Sequence, residues 1–134
     1  MAIMYARPSS ISRGNNRSAV SAAAYRSGSR MEMSFSNMSA RVREKLSTVY
    51  HEKYHLLNEN TREVIGLVFD YRHKSGSIIS GIITPEGAPE LVFDRQQLWQ
   101  SIENAGSRVD SRLAREHTIA LPIELTAEQN RELV

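Results

Sequence analysis

The chain has 134 residues, 40% of them apolar and 24% charged, with no cysteine and a formal net charge of +2. That length holds one domain with a real core but not two, and the composition excludes a disordered chain. The lack of cysteine excludes a disulfide framework and a thiolate metal site, so an intracellular home is the default. No apolar run is long enough to span a bilayer and no apolar signal-peptide core opens the chain, so no membrane insertion is expected.

The charge is unevenly spread. Residues 1–30 hold Arg7, Arg13, Arg17, Arg26 and Arg30 and no acid. Arginine suits bidentate phosphate contacts, so this block points to an anionic partner; the competing reading is a solvated basic arm.

In chain order, residues 2–6 are a short apolar run expected to be a strand, and Pro8 to Asn16 reads as a turn-rich connection. Asn15 or Asn16 is the expected N-cap of a helix over 17–27 that Gly28 closes. Small residues dominate that helix. Ser18, Ser21 and Ser29 share a face with Tyr25, and Ala19, Val20, Ala22 and Ala23 pack underneath. Residues 31–60 give the weakest pattern, with 42–57 open between a charged helix and a hairpin arm. The β-branched runs 64–70 and 76–84, parted by polar residues, predict paired antiparallel strands. After the loop Pro85–Pro89, a helix is expected from Asp94 to about Ala105 with Leu98, Trp99 and Ile102 as its stripe. Alternation over 112–121 predicts a strand that sets Glu116 among Ala114, Thr118 and Ala120. Thr126 then caps a last helix, of which one or two turns precede Val134.

Four stretches together resemble one family. They are Ser-Ala-Val-Ser-Ala-Ala-Ala-Tyr25-Arg-Ser-Gly28; Asp70-Tyr71-Arg-His-Lys74-Ser-Gly76; Pro85-Glu-Gly-Ala-Pro89 with Asp94-Arg95-Gln-Gln-Leu98-Trp99; and Leu113-Ala-Arg115-Glu116 leading to Ala120-Leu-Pro122. In this order they resemble the MobA/MobL (MobQ-type) conjugative relaxases over residues 1–30 and 61–134, with 31–60 as a family-variable insertion. The resemblance implies an α+β domain of the HUH type, with an antiparallel sheet of about five strands when complete, flanked by helices. It implies a nickase of single-stranded DNA at a plasmid transfer origin, acting in the bacterial cytoplasm beside relaxosome accessory proteins and the type IV secretion coupling protein.

By motif match Tyr25 is the nucleophile, which stays linked to the 5′ end, and Glu116 is an acidic group near the centre, a base or a metal-side partner. Arg13, Arg17, Arg26 and Lys74 are the expected DNA contacts. Phenols titrate near 10 in water, so such a nucleophile needs a base or a cation beside it. The family's divalent ion, magnesium or manganese, is held by a His-x-His pair and a third histidine. These lie on strands beyond the helix that starts at Thr126, and so are expected only after Val134. Histidines 51, 55, 73 and 117 do not match that set. The chain up to Val134 is therefore expected to be the N-terminal part of a relaxase without its metal site, and a catalytically inactive DNA-binding fragment is the alternative.

Competing readings attach to single residues. His51-Glu52-Lys53-Tyr54-His55 fits the H-E-x-x-H zinc-peptidase pattern, though its flanks are polar and no third ligand is evident. Tyr25 is otherwise an aromatic anchor between helix and sheet, Glu116 an ion-pair partner of Arg112 or Arg115, and Trp99 core. His117 is a core or edge histidine, and His73 and Lys74 form a hairpin tip.

Overall fold

The structure, a computed structural model, describes residues 5–75, 80–120, 125, 126, 128, 129 and 132. Strand β1 runs Tyr5–Ser12, a short 3-10 turn Arg13–Asn15 follows, and helix α1 spans Ala19–Ser27. Strand β2 (Arg30–Ser34), helix α2 (Ala40–Val49), strand β3 (His55–Leu57) and strand β4 (Val64–Asp70) come next. Helix α3 (Arg95–Ala105) and strand β5 (Arg112–Ala120) complete the described elements. The α+β class and antiparallel pairing are as expected, but the five strands form two sheets, β1-β5 and β2-β4-β3. Among the described residues no helix is long and apolar enough to cross a membrane.

Several boundaries differ from the sequence reading. The expected strand 2–6 is described only from Tyr5, and most of the supposed connection 8–16 is strand. Pro8 is tolerated there because, among the described residues, β1 pairs only with β5, and on an open edge a missing N–H costs little. The N-cap of α1 is Ser18 rather than Asn15 or Asn16; its hydroxyl accepts from the Ser21 N–H at 3.2 Å, while Asn16 takes a left-handed φ of 58° that ends the 3-10 turn. The alanines then propagate the helix at no side-chain cost, and Gly28, at φ 65°, ends it.

The expected pairing of 64–70 with 76–84 is not seen. Residues 76–79 lie outside the described residues, and 80–84 have no regular structure. Strand β4 is instead central, with Leu67 opposite Met33 on one side and His55 on the other. Gly66 permits that close approach, since a Cβ there would run into the carbonyl oxygen of Met33.

The core gathers Val20 and Ala24 of α1, Met31 and Met33 of β2, Phe35 and Met38, Val42 and Leu46 of α2, and Leu67 and Phe69 of β4. Each large side chain buried here stabilises by roughly 1.5–3 kcal/mol. Residues 31–60, which from sequence look like an insertion, supply Met31, Met33, Phe35, Met38, Val42 and Leu46 to that core. The α2 residues recur at helical spacing, so the helix alternative for 42–57 holds as far as Val49.

The outer edge of β2 is covered by side chains. Glu32 N–H donates to Gln96 Oε1 at 2.8 Å and Ser34 N–H to Gln100 Oε1 at 2.7 Å, while the two amide NH2 groups donate back to the carbonyls of Glu32 and Ser34. Four residues of helix rise about 6 Å and two of strand about 6.7 Å, so glutamines one turn apart match alternate residues of the edge. Helix α3 thus stands in for a neighbouring strand. Its expected cap and end hold, with Asp94 accepting from the Gln97 N–H at 3.1 Å. Thr126 and Gln129 exchange bonds in the manner of a capping box, at 2.9 and 3.2 Å. The far end of that expected last helix, Val134 included, lies outside the described residues.

Candidate nucleic-acid interface

Tyr25 lies in the last turn of α1 and keeps 44% of its surface exposed. Its inner neighbours Val20 and Ala24 are fully buried, so packing fixes the helix while the aromatic ring stands outside the core. Tyr71 meets that ring edge-on, with centroids 5.3 Å apart and planes at 88°. Lys74 Nζ sits 4.6 Å and Arg26 Cζ 5.5 Å from the ring centroid. The ring therefore has an open, cation-lined approach and is not an anchor sealed between helix and sheet.

The turn after β4 delivers Tyr71 and Lys74. Asp70 accepts from the Arg72 guanidinium at 2.9 and 2.6 Å and from its N–H at 3.1 Å, which folds the chain back. These bonds hold the Asp70 carboxyl down at about 2. Tyr71 N–H donates to Ser29 O at 3.1 Å, tying the turn to the residue after the Gly28 cap. His73 is exposed in this turn.

Glu116 enters from β5, opposite Ser9 of β1. Arg26 closes a fork on it, Nε to Oε2 at 3.1 Å and Nη2 to Oε1 at 2.9 Å, and Arg17 Nη2 approaches Oε1 at 3.5 Å. Its partners are these two α1-flanking arginines rather than Arg112 or Arg115. The Arg26 hydrogen bonds are the main reason its carboxyl is held below the usual range, outweighing partial burial. A carboxylate so engaged is a weak proton acceptor and a firm anchor for guanidinium groups. The register places Arg7, opposite Thr118, on the same ribbon face as Glu116.

A cavity of about 270 Å³ links these groups, lined by Arg17, Tyr25, Arg26, Tyr50, Tyr71 and Glu116 among others. Burial, with the Glu103 charge behind it, pushes the Tyr50 hydroxyl up to about 12, so at neutral pH it is a donor on the cavity wall. A larger groove of about 820 Å³ lies between the β2 edge and α3, and its Gln96 and Gln100 are already engaged with the strand.

Arg13 corrects the sequence reading. Its side chain is fully buried, bonded to Glu103 Oε2 at 3.0 Å and to the carbonyl oxygens of Glu103 and Arg108 at 2.6 and 2.9 Å. It cannot reach a DNA strand. The structure thus brings together Tyr25, Glu116, Arg17, Arg26 and Lys74 and removes Arg13. Sequence reasoning missed Tyr50, Tyr71 and Glu103 as parts of the site. Tyr71 stood inside a quoted motif, and Glu103 was an acid directly following Ile102 on the apolar stripe, a position that signals burial with a partner.

The zinc-peptidase pattern does not form its helix. Glu52–Tyr54 is a 3-10 turn and His55 begins β3. His51 Nδ1 accepts from the Lys53 N–H at 3.1 Å, and His55 Nε2 lies 3.1 and 3.0 Å from the carbonyl oxygens of Ser47 and Tyr50. His117 is exposed on β5. Among the described residues no three His, Cys, Asp or Glu side chains stand together as metal ligands.

The mobilization protein MobL of Acidithiobacillus ferridurans is 36% identical over 133 residues, 99% of this chain and 27% of that protein. The conjugal transfer protein TraA of Rhizobium radiobacter is 33% identical over 144 residues, all of this chain and 10% of its own length. A chain from the structure reported as the molecular basis of vancomycin resistance transfer in Staphylococcus aureus superposes with a TM-score of 0.67 at 24% identity, over 98% of this chain and 52% of that one, which speaks for the fold. The model of the MobA/MobL family matches residues 46–134; Tyr25 lies ahead of that stretch but within the span shared with both relatives. The chain belongs to the MobA/MobL family.

Proposed function

We propose that this chain carries the nucleophile of a strand-specific DNA nickase acting at a plasmid transfer origin. One observation carries the reading: Tyr25 is exposed on a firmly packed helix, with Lys74 and Arg26 against its ring and Arg17 in the same cavity. The phenolic oxygen attacks phosphorus, the bond to the 3′ oxygen breaks, and the 5′ phosphate remains on Tyr25. The phenolic proton passes to solvent water at the exposed ring as the new bond forms, and the departing 3′ oxygen takes a proton from solvent. Arg17, Arg26 and Lys74 offset charge on the phosphate, where electrostatic stabilisation contributes most. Glu116 acts by holding Arg17 and Arg26 in place, rather than as the base. Single-stranded substrate makes binding salt-sensitive and aided by stacking on exposed rings.

The test is a labelled transfer-origin oligonucleotide incubated with the product of the whole reading frame and with its Tyr25→Phe form. A covalent adduct in the first and none in the second is the expected result. Strand binding without an adduct in either would leave the DNA-binding alternative.

A further inference from the structure

Arg13 and Glu103 are the charged residues buried among those described. Helix α1 has no acid in its own first turn, although the start of a helix favours negative charge and leaves N–H groups without partners. Glu103, reaching across from α3, supplies both needs. Its Oε1 accepts from Ser18 Oγ at 2.6 Å and from the Val20 N–H at 3.3 Å, and its Oε2 takes Arg13 at 3.0 Å. Arg13 also grips the carbonyls of Glu103, Gly106 and Arg108 and so fixes the end of α3 to the end of β1. The start of α1 is therefore pinned by a side chain 85 residues away in the chain. Tyr25 stands two turns further on, about 10 Å along the same helix.

We propose that Glu103, acting through the Ser18 hydroxyl, is a positioning residue for Tyr25: it sets where α1 begins, and hence where the phenol meets the cavity that Arg17, Arg26 and Glu116 line. A carboxylate is suited to this because it accepts from a hydroxyl, a backbone N–H and a guanidinium at once. Displacement of a reacting atom by about 1 Å costs on the order of 100-fold in rate, so a small slip at Ser18 reaches the chemistry. The inference rests on the nickase reading for its effect on rate, but not for its effect on α1.

Ser18→Gly tests it, because glycine is a tolerable N-cap, although the bond that the Ser18 hydroxyl accepts from the Ser21 N–H goes together with its link to Glu103. Three quantities are measured on the whole protein: amide hydrogen exchange over Ala19–Ser27, the single-turnover rate of adduct formation, and the affinity for the same oligonucleotide. The expected result is faster exchange in α1 and an adduct rate lower by about 10- to 100-fold, with affinity little changed and with Ser18→Thr restoring the rate. A folded Ser18→Gly protein with parental exchange, or one with the parental adduct rate, overturns the proposal. Where the parent itself forms no adduct, the nickase reading fails, and exchange in α1 alone decides the positioning claim.

Discussion

Arg26 and Glu116 form a two-point fork one residue after the candidate nucleophile, Nε on Oε2 at 3.1 Å and Nη2 on Oε1 at 2.9 Å. It ties the end of α1 to the β1-β5 ribbon, so Tyr25 is held from its C-terminal side as Glu103 holds the helix from its start.

The fork makes stability depend on acid. The Glu116 carboxyl is lowered from 4.5, so its contribution is fully present above about 4.5 and is lost as pH falls through its lower folded value. Urea unfolding from pH 7 to 3 should show a difference between the parent and Glu116→Gln that shrinks below that pH. High salt should shrink it as well, since Arg26 is largely exposed. A difference that does not change with pH would contradict the assignment.

Burial makes the Arg13–Glu103 pair costly to break from one side. Arg13→Met or Glu103→Leu alone leaves an uncompensated charge and should cost about 3–5 kcal/mol. The double substitution should cost clearly less than the sum of the two, as read from denaturant midpoints. Additive losses would mean that the groups do not interact.

The glutamine cover of β2 protects an edge as well as binding α3. Replacing both Gln96 and Gln100 by Ala should lower stability by about 1 kcal/mol for each hydrogen bond lost. It should also promote self-association, because a bared edge pairs with other chains. Light scattering against concentration checks the second effect.

Tyr50 makes stability depend on alkali. Its folded value of about 12 stands above the ordinary 10, so its contribution is present below about 10 and is lost as pH rises through 12. Tyr50→Phe should therefore lose less stability between those values than the parent, followed by denaturant unfolding.

What was legible in sequence had local causes. Helix α3 announced itself by the Asp94 cap and its apolar stripe, β5 by alternation, and α1, which carries Tyr25, by its small residues and the closing Gly28. Distant partners were not legible. An arginine three residues before Asn16 looks like any other phosphate ligand until Glu103 comes to it from 90 residues away. Likewise, the β-branched run at 76–84 carries strand propensity, yet Met33 and His55 already flank Leu67 of β4. Residues 31–60 showed no clear period because their core contributions are shared among a strand, a turn and a helix.

The most direct measurement is the site of covalent attachment. Trypsin cuts after Arg17 and Arg26 and releases Ser18–Arg26, a peptide in which Tyr25 is the one tyrosine. After reaction with transfer-origin DNA and nuclease trimming, mass spectrometry should find that peptide heavier by a nucleotide 5′-phosphate remnant. An adduct found on any other peptide, or an unmodified Ser18–Arg26 from protein that has nicked its strand, would contradict Tyr25 as the nucleophile.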